Sequence, residues 1–300
     1  MYGGDVTGRR GRLPDFLVVG TMKGGTSSLH HYLKAEPAVF MPAVKELNFF
    51  VDDYRGPVRL YPPEVSNWSR GVDWYRSWFA DAKPGQLAGE VSPNYAKAPE
   101  YPGTPQRIAA LIPHARLVFV ARDPVERVRS HYLHDVAVGR ERRPIAEALR
   151  TDPRYISTSR YGVQLTGYLE HFPHEQLLVI LSEDLRDARA ATLGRVLEHL
   201  GVTAAQAPHD VQFEAHSSAG KRRPSQAAVR LGRLPGRRLV PRRLRHSVRG
   251  FTTRPIEPGQ AAIDGDLRAW LLDQLSADID VLRGIVGPRI DRWPSAASSP

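Results

Sequence analysis

Strands alternating with helices predict an α/β fold, a central parallel sheet flanked by helices on both faces in three layers. Three observations carry this. Asp15 to Gly20 (DFLVVG) is a short apolar run ending in glycine, and a glycine loop and a helical pattern follow it. Arg116 to Ala121 (RLVFVA) and Leu177 to Leu181 (LLVIL) are apolar and rich in branched side chains, as strands buried on both faces are. Helical spacing recurs after each of them.

Taken in order, residues 1–13 read as a flexible tail, and residues 14–295 as one domain without internal repeats. After the strand at 15–20, Ser27 to Lys34 has helical spacing. Pro37 and Pro42 bracket a short extended segment. Residues 52–80 are rich in aromatics and turns, with Trp68, Trp74 and Trp78 expected at the edge of the core. Gln86 to Val91 is a further strand. Asp123 and Pro124 start a helix that runs to about Val138, with Asp as N-cap and Pro in the first turn. Ala188 to Leu200 is a helix stopped by Gly201, and Asp264 to Ile285 is a long amphipathic helix ending before Gly287.

The composition, 41% hydrophobic and 25% charged, is that of a globular protein. No run of about 18 apolar residues occurs, so no membrane-spanning segment is expected. Met1 to Arg12 lacks the apolar stretch of a signal peptide. There are no cysteines, which excludes a disulfide framework and a thiol nucleophile. A cytoplasmic location is the simplest expectation. Of the 42 basic residues 36 are Arg and 6 are Lys, a bias that suggests a GC-rich bacterial genome.

The net charge of +10 is uneven: Lys221 to Arg254 holds 12 Lys or Arg and no acid, and the rest of the chain is close to neutral. Such a block is either a solvated covering segment or a contact for an anionic cofactor or acceptor. Its one aromatic, Phe251, gives no stacking platform, so no nucleic-acid partner is expected.

The loop after the first strand reads Gly20-Thr21-Met22-Lys23-Gly24-Gly25-Thr26-Ser27-Ser28. Between strand and helix this is an anion cradle. Amides of the first helical turn and the helix dipole favour negative charge. Gly24 and Gly25 let the backbone approach, Thr26, Ser27 and Ser28 add hydroxyls, and Lys23 adds a mobile cation. The loop is P-loop-like without being a nucleotide-kinase loop, because Gly25 and not Lys precedes Thr26.

A second constellation follows the strand at 116–121. Arg122 and Asp123 arrive at its carboxyl end, where open α/β sheets bind ligands. Ser130 lies about two helical turns further. Arg122 and Ser130 can converge on one phosphate, while Asp123 also suits a helix cap. Arg127 and Arg129 are expected on the helix surface, as is the pair His131 and His134, and no metal site is expected. Two anion sites on neighbouring strands imply a ligand with two separated phosphates.

Gly-Thr-Met-Lys-Gly-Gly-Thr-Ser-Ser-Leu (20–29), Lys-Glu-Leu-Asn-Phe-Phe (45–50) and Arg-Asp-Pro-Val-Glu-Arg-Val-Arg-Ser-His-Tyr (122–132) occur in that order. With these motifs the chain resembles the sulfotransferases that use 3′-phosphoadenosine 5′-phosphosulfate (PAPS), especially bacterial relatives of the heparan sulfate sulfotransferases. The resemblance runs from about Pro14 to Trp293. It implies that the first motif is the 5′-phosphosulfate loop and that Arg122 and Ser130 hold the 3′-phosphate. It implies PAPS as co-substrate, with adenosine 3′,5′-bisphosphate as product and no metal.

The resemblance also assigns Glu46 as general base, and burial among apolar neighbours would raise its pKa. Lys23 would stabilise the leaving group. Asn48 stands where some heparan enzymes have His, and Val91 stands where they have a helpful Lys. Glu90 is a candidate for the acceptor site or for support behind it. Lys221, Arg222 and Arg223 resemble, loosely, a loop that closes over the nucleotide. The expected acceptor is a hydroxyl or amine on a saccharide, glycolipid or specialised metabolite. An ATP-dependent P-loop kinase and a non-catalytic polyanion-binding module remain alternatives.

Overall fold

The computed structural model describes residues 11–51, 66–202, 222–224, 253–255 and 258–296. Its strands are β1 (Phe16–Gly20), β2 (Val39–Phe40), β3 (Leu87–Val91), β4 (Arg116–Ala121) and β5 (Leu177–Leu181). They form one sheet in the order β2-β3-β1-β4-β5, with every pair parallel. The register sets Phe16 beside Gly89 on one side and Arg116 on the other.

Side-chain alternation sorts the chain into layers. Phe16, Val18, Val118, Val120 and Ile180 face one side of the sheet. Helices α1 (Thr26–Ala35), α8 (Ser182–Asp187) and α9 (Arg189–Leu200) cover them with Leu29, Leu33, Leu185, Val196 and Leu200. Leu17, Val19, Leu117, Phe119 and Ala121 face the other side. There α2 (Gly71–Ser77), α3 (Thr104–Leu111), α4 (Pro124–Ala137), α7 (Tyr161–Leu169) and α10 (Gly265–Val286) build the larger core. Two short helices, α5 (Ile145–Thr151) and α6 (Arg154–Ser157), extend this layer.

This is the three-layer parallel α/β architecture that the alternation predicts. Helix α10 begins where expected, and the Asp264 carboxylate caps it by accepting the Leu267 amide at 2.8 Å. Between residues 139 and 176 the pattern predicts no element, yet α5, α6 and α7 lie there. Helices of four to nine residues span too few turns to show a period. Trp74 is buried, and Trp68 and Trp78 pack half-buried against the core.

The connections fix where a site can form. Helix α1 leaves β1 for one face and α4 leaves β4, its neighbour, for the other. A crevice therefore opens at the carboxyl ends of β1 and β4, where such sheets bind ligands. Asp123 caps α4, accepting the Glu126 amide at 3.0 Å with one oxygen and the Ser295 amide at 3.1 Å with the other. The Glu183 carboxylate joins the Asp123 amide (3.2 Å) to the Trp293 indole (3.0 Å), tying residues 293–295 beneath the crevice.

Arg127 and His131 depart from their expected surface positions: they are 0% and 1% exposed. Helix α6 and the turn after it cover this face of α4. Arg127 donates to the Ser159 hydroxyl at 2.5 Å and to the Tyr155 carbonyl, satisfying a charge that could not otherwise be buried. Arg129 remains near the surface, bonded to the Ala261 carbonyl at 3.0 Å.

Candidate active site

A cleft of about 1080 Å³ spans the carboxyl ends of β3, β1, β4 and β5. Its centre is the loop after β1. The Gly24 amide returns to the Thr21 carbonyl at 3.0 Å, and the Thr21 amide bonds the Val120 carbonyl at 3.0 Å. A Cβ on Gly24 would lie 2.6 Å from the Val120 carbonyl oxygen, so only glycine lets the loop sit on β4. Gly25, at φ 104°, turns the chain into α1. Lys23, Gly25, Thr26, Ser27 and Ser28 face the cleft, whereas Gly24 is behind it against β4. Burial lowers the Lys23 pKa below its usual 10.5, and the charges of Arg122 and Lys45 push the same way.

Arg122 and Ser130 line the same cleft from β4 and α4. The Arg122 guanidinium donates to the Lys23 carbonyl at 3.4 Å and lies 3.7 Å from Glu126. Both predicted anion points thus share one space, and Arg122 links them.

Residues 45–50 form the third wall. Leu47, Phe49 and Phe50 are buried, and Phe49 stacks on Tyr75 with ring centres 4.3 Å apart. That anchoring leaves Lys45, Glu46 and Asn48 on the cleft. Glu46 and Asn48 have φ of 66° and 50°, a left-handed conformation uncommon outside glycine. The Glu46 amide bonds the Val91 carbonyl at 2.9 Å and the Asn48 amide bonds the Ser92 hydroxyl at 3.2 Å, which hold it.

The expected burial of Glu46 is corrected. Its side chain is 46% exposed, with one oxygen 3.5 Å from the Lys45 ammonium. The apolar residues around it turn away to the core, so they do not enclose the carboxylate.

Glu90 is also placed differently from a residue that meets an acceptor. It is 1% exposed and lies behind the cleft wall. Its oxygens accept the hydroxyls of Tyr75, Tyr95 and Ser92, each at 2.7 Å. Burial raises its pKa, while those hydrogen bonds act against the rise.

Arg222 and Arg223 lie in a two-stranded antiparallel ribbon of β6 (Arg222–Pro224) and β7 (Thr253–Pro255), beside α4. Lys221 and most of the basic stretch lie outside the described residues. Among the described residues, no group of three or more His, Asp or Glu is arranged to hold a metal, and no helix is long and apolar enough to cross a membrane.

The model of a Sulfotransferase family matches residues 64–206. Human heparan sulfate glucosamine 3-O-sulfotransferase 3B1 is 31% identical over 261 residues, covering 80% of this chain and 62% of that protein. Bovine (Bos taurus) bifunctional heparan sulfate N-deacetylase/N-sulfotransferase 2 is 29% identical over 214 residues, covering 64% of this chain and 22% of that protein. A sulfotransferase crystal structure from Alicyclobacillus acidocaldarius has a TM-score of 0.67 at 26% identity, covering 94% of this chain and 99% of that one.

In sequence and in fold the chain is similar to sulfotransferases. It spans less than two thirds of the two curated relatives it matches here.

The cleft also holds residues that no motif marks for the site. Asn94 and Lys97 follow β3, and the Asn94 amide donates to the Asn48 side-chain oxygen at 3.1 Å. Arg186, Arg189 and Arg292 line the opposite end, beyond β5. Lys and Arg outnumber Asp and Glu around the cleft, which suits an anionic ligand.

Proposed function

We propose that the chain transfers a sulfuryl group from PAPS to a hydroxyl or amine of a saccharide, glycolipid or specialised metabolite. The observation that carries this is the shared cleft. The loop Lys23 to Ser28 faces it from β1, and Arg122 with Ser130 faces it from β4 and α4. A nucleotide phosphorylated at both 5′ and 3′ positions meets both points at once. The loop amides, hydroxyls and Lys23 would hold the 5′-phosphosulfate, and Arg122 and Ser130 would hold the 3′-phosphate. The relatives named for heparan sulfate glucosamine support a glycan acceptor.

Transfer is an in-line displacement at sulfur. The acceptor oxygen or nitrogen forms a bond to sulfur, and the bond from sulfur to the bridging phosphate oxygen breaks. Glu46 takes the acceptor proton. Lys23 stabilises the electron pair left on the phosphate oxygen. Positioning and electrostatic stabilisation carry such a reaction. Half-exposed Glu46 lines the cleft with one carboxylate oxygen 3.5 Å from the Lys45 ammonium, where an acceptor can reach it.

The test is a thermal-shift titration with adenosine 3′,5′-bisphosphate, compared with ADP and with ATP plus magnesium. A ligand at 100 times its dissociation constant stabilises by about 2.7 kcal/mol. Preference for the bisphosphate, lost in Arg122→Ala, supports the donor site. Preference for ATP with magnesium would replace it with a kinase. No shift with any of them, at any salt concentration, would leave a polyanion-binding module.

A further inference from the structure

Lys45 has no assigned part in the reaction, yet it touches both of its halves. Its ammonium lies 2.9 Å from the Ser27 hydroxyl and 3.3 Å from the Thr26 hydroxyl, at the start of the donor loop. It also lies 3.5 Å from a carboxylate oxygen of Glu46. Lys45 therefore stands between the cradle for the 5′ end of the donor and the carboxylate that faces the acceptor. The transferred group must cross that interval.

The hydrogen-bonding chemistry fits this place. An ammonium only donates, so Lys45 uses lone pairs on the Ser27 and Thr26 oxygens and leaves both O–H protons for an anion. A third N–H remains. It faces the Glu46 carboxylate at 3.5 Å, longer than the usual 2.7–2.9 Å of a charge-assisted bond. A sulfonate oxygen arriving between the loop and Glu46 would take it.

We infer that Lys45 is a catalytic residue for sulfuryl transfer, binding the non-bridging oxygens of the group in flight and aligning it with Glu46. The inference rests on the PAPS reading above. Lys45 stays protonated throughout. The acceptor proton goes to Glu46, the new bond forms at sulfur, and the electron pair of the broken bond goes to the phosphate oxygen facing Lys23. Lys45 and Lys23 then divide the work, the first on the moving group and the second on the one left behind.

This division has a readout that requires no known acceptor. PAPS carries the sulfuryl group and adenosine 3′,5′-bisphosphate does not, while both carry the phosphates. Calorimetric titration of the full chain with each nucleotide separates the two lysines. Lys45→Met is expected to weaken PAPS roughly tenfold or more, the worth of one hydrogen bond between charged groups, and to change bisphosphate affinity less than about threefold. Lys23→Ala is expected to weaken both. Lys45→Arg, which keeps the charge and guards against a folding artefact, is expected to restore most of the PAPS affinity. Equal loss of both nucleotides in Lys45→Met would make Lys45 a structural brace for the loop and overturn the inference. So would unchanged binding of both. Failure of the wild-type chain to bind either nucleotide would instead overturn the PAPS reading, and this inference with it.

Discussion

The Tyr95 hydroxyl donates to Glu90 at 2.7 Å and receives the Phe49 amide at 2.9 Å, so a buried carboxylate on β3 anchors the segment that displays Glu46. Tyr75 adds a second link, bonding Glu90 at 2.7 Å and stacking on Phe49. On the proposed mechanism, Glu90 would act through Glu46 as a positioning residue. Glu90→Ala would strand three buried hydroxyls, each costing about 1–3 kcal/mol if left unsatisfied. A loss of about 3 kcal/mol in unfolding free energy is expected, measured by denaturant titration. Affinity for adenosine 3′,5′-bisphosphate is expected to change little, because the donor loop does not pass through this hub. A variant as stable as wild type would remove Glu90 from this role.

Arg122 and Glu46 should separate binding from chemistry. Arg122→Ala is expected to weaken adenosine 3′,5′-bisphosphate by about 10–100-fold, the loss of a charge-assisted contact, and adenosine 5′-phosphate far less. Glu46→Gln keeps shape and removes the carboxylate proposed as the base. Nucleotide affinity is expected to stay within about threefold and sulfuryl transfer to fall by on the order of 10²–10³. Isothermal titration and a radiolabelled-PAPS transfer assay against a panel of glycans read the two effects. Full turnover in Glu46→Gln would end its assignment as base.

His131 makes stability depend on pH. Its Nδ1 lies 3.2 Å from an Arg127 nitrogen, and a guanidinium only donates, so this ring nitrogen carries no proton. Burial holds the His131 pKa well below the usual 6.5, and the charges of Arg127, Lys97 and Arg154 push the same way. Asp135, 3.6 Å from Nε2, does not offset them. The unfolded chain therefore binds a proton below pH 6.5 that the fold refuses, so acid costs stability there and nothing is lost above it. The slope is about 1.4 kcal/mol for each pH unit. Wild type minus His131→Asn, by denaturant titration down to about pH 5, is expected to show that slope. A flat difference would mean that His131 titrates normally in the fold.

The strands and the glycine loop were legible because their signals are local. Strand, glycine turn and helix start are consecutive in 16–28, and Arg122 with Ser130 lies within one helix entry. Arg127 and His131 misled because helical spacing places residues on a face without saying what covers it. Here α6 supplies the cover. Glu46 misled for the opposite reason, since apolar neighbours in sequence point to the core while it points out. Asn94 and Lys97 reach the cleft from the turn after β3 and Arg292 from the segment after α10, two places that no local pattern joins. One compositional sign did exist. In a chain with 36 Arg and only six Lys, three of the six, Lys23, Lys45 and Lys97, line this cleft.

Gly24 and Gly25 differ in why they must be glycine. At Gly24 space decides, because an added Cβ would meet the Val120 carbonyl oxygen at 2.6 Å, and backbone on a central strand cannot yield cheaply. At Gly25 conformation decides, because φ is 104° while the nearest atom, the Ser182 hydroxyl oxygen, is an ordinary 3.5 Å away. Gly24→Ala must push the loop off β4, at a cost of about 1–3 kcal/mol, and should carry Lys23 with it. Lower melting temperature and weaker bisphosphate binding are expected together. Gly25→Asn, a residue that tolerates the left-handed region, is expected to cost less in stability than Gly25→Ala. Gly24→Ala with wild-type stability and affinity would show that the loop need not rest on β4 to bind.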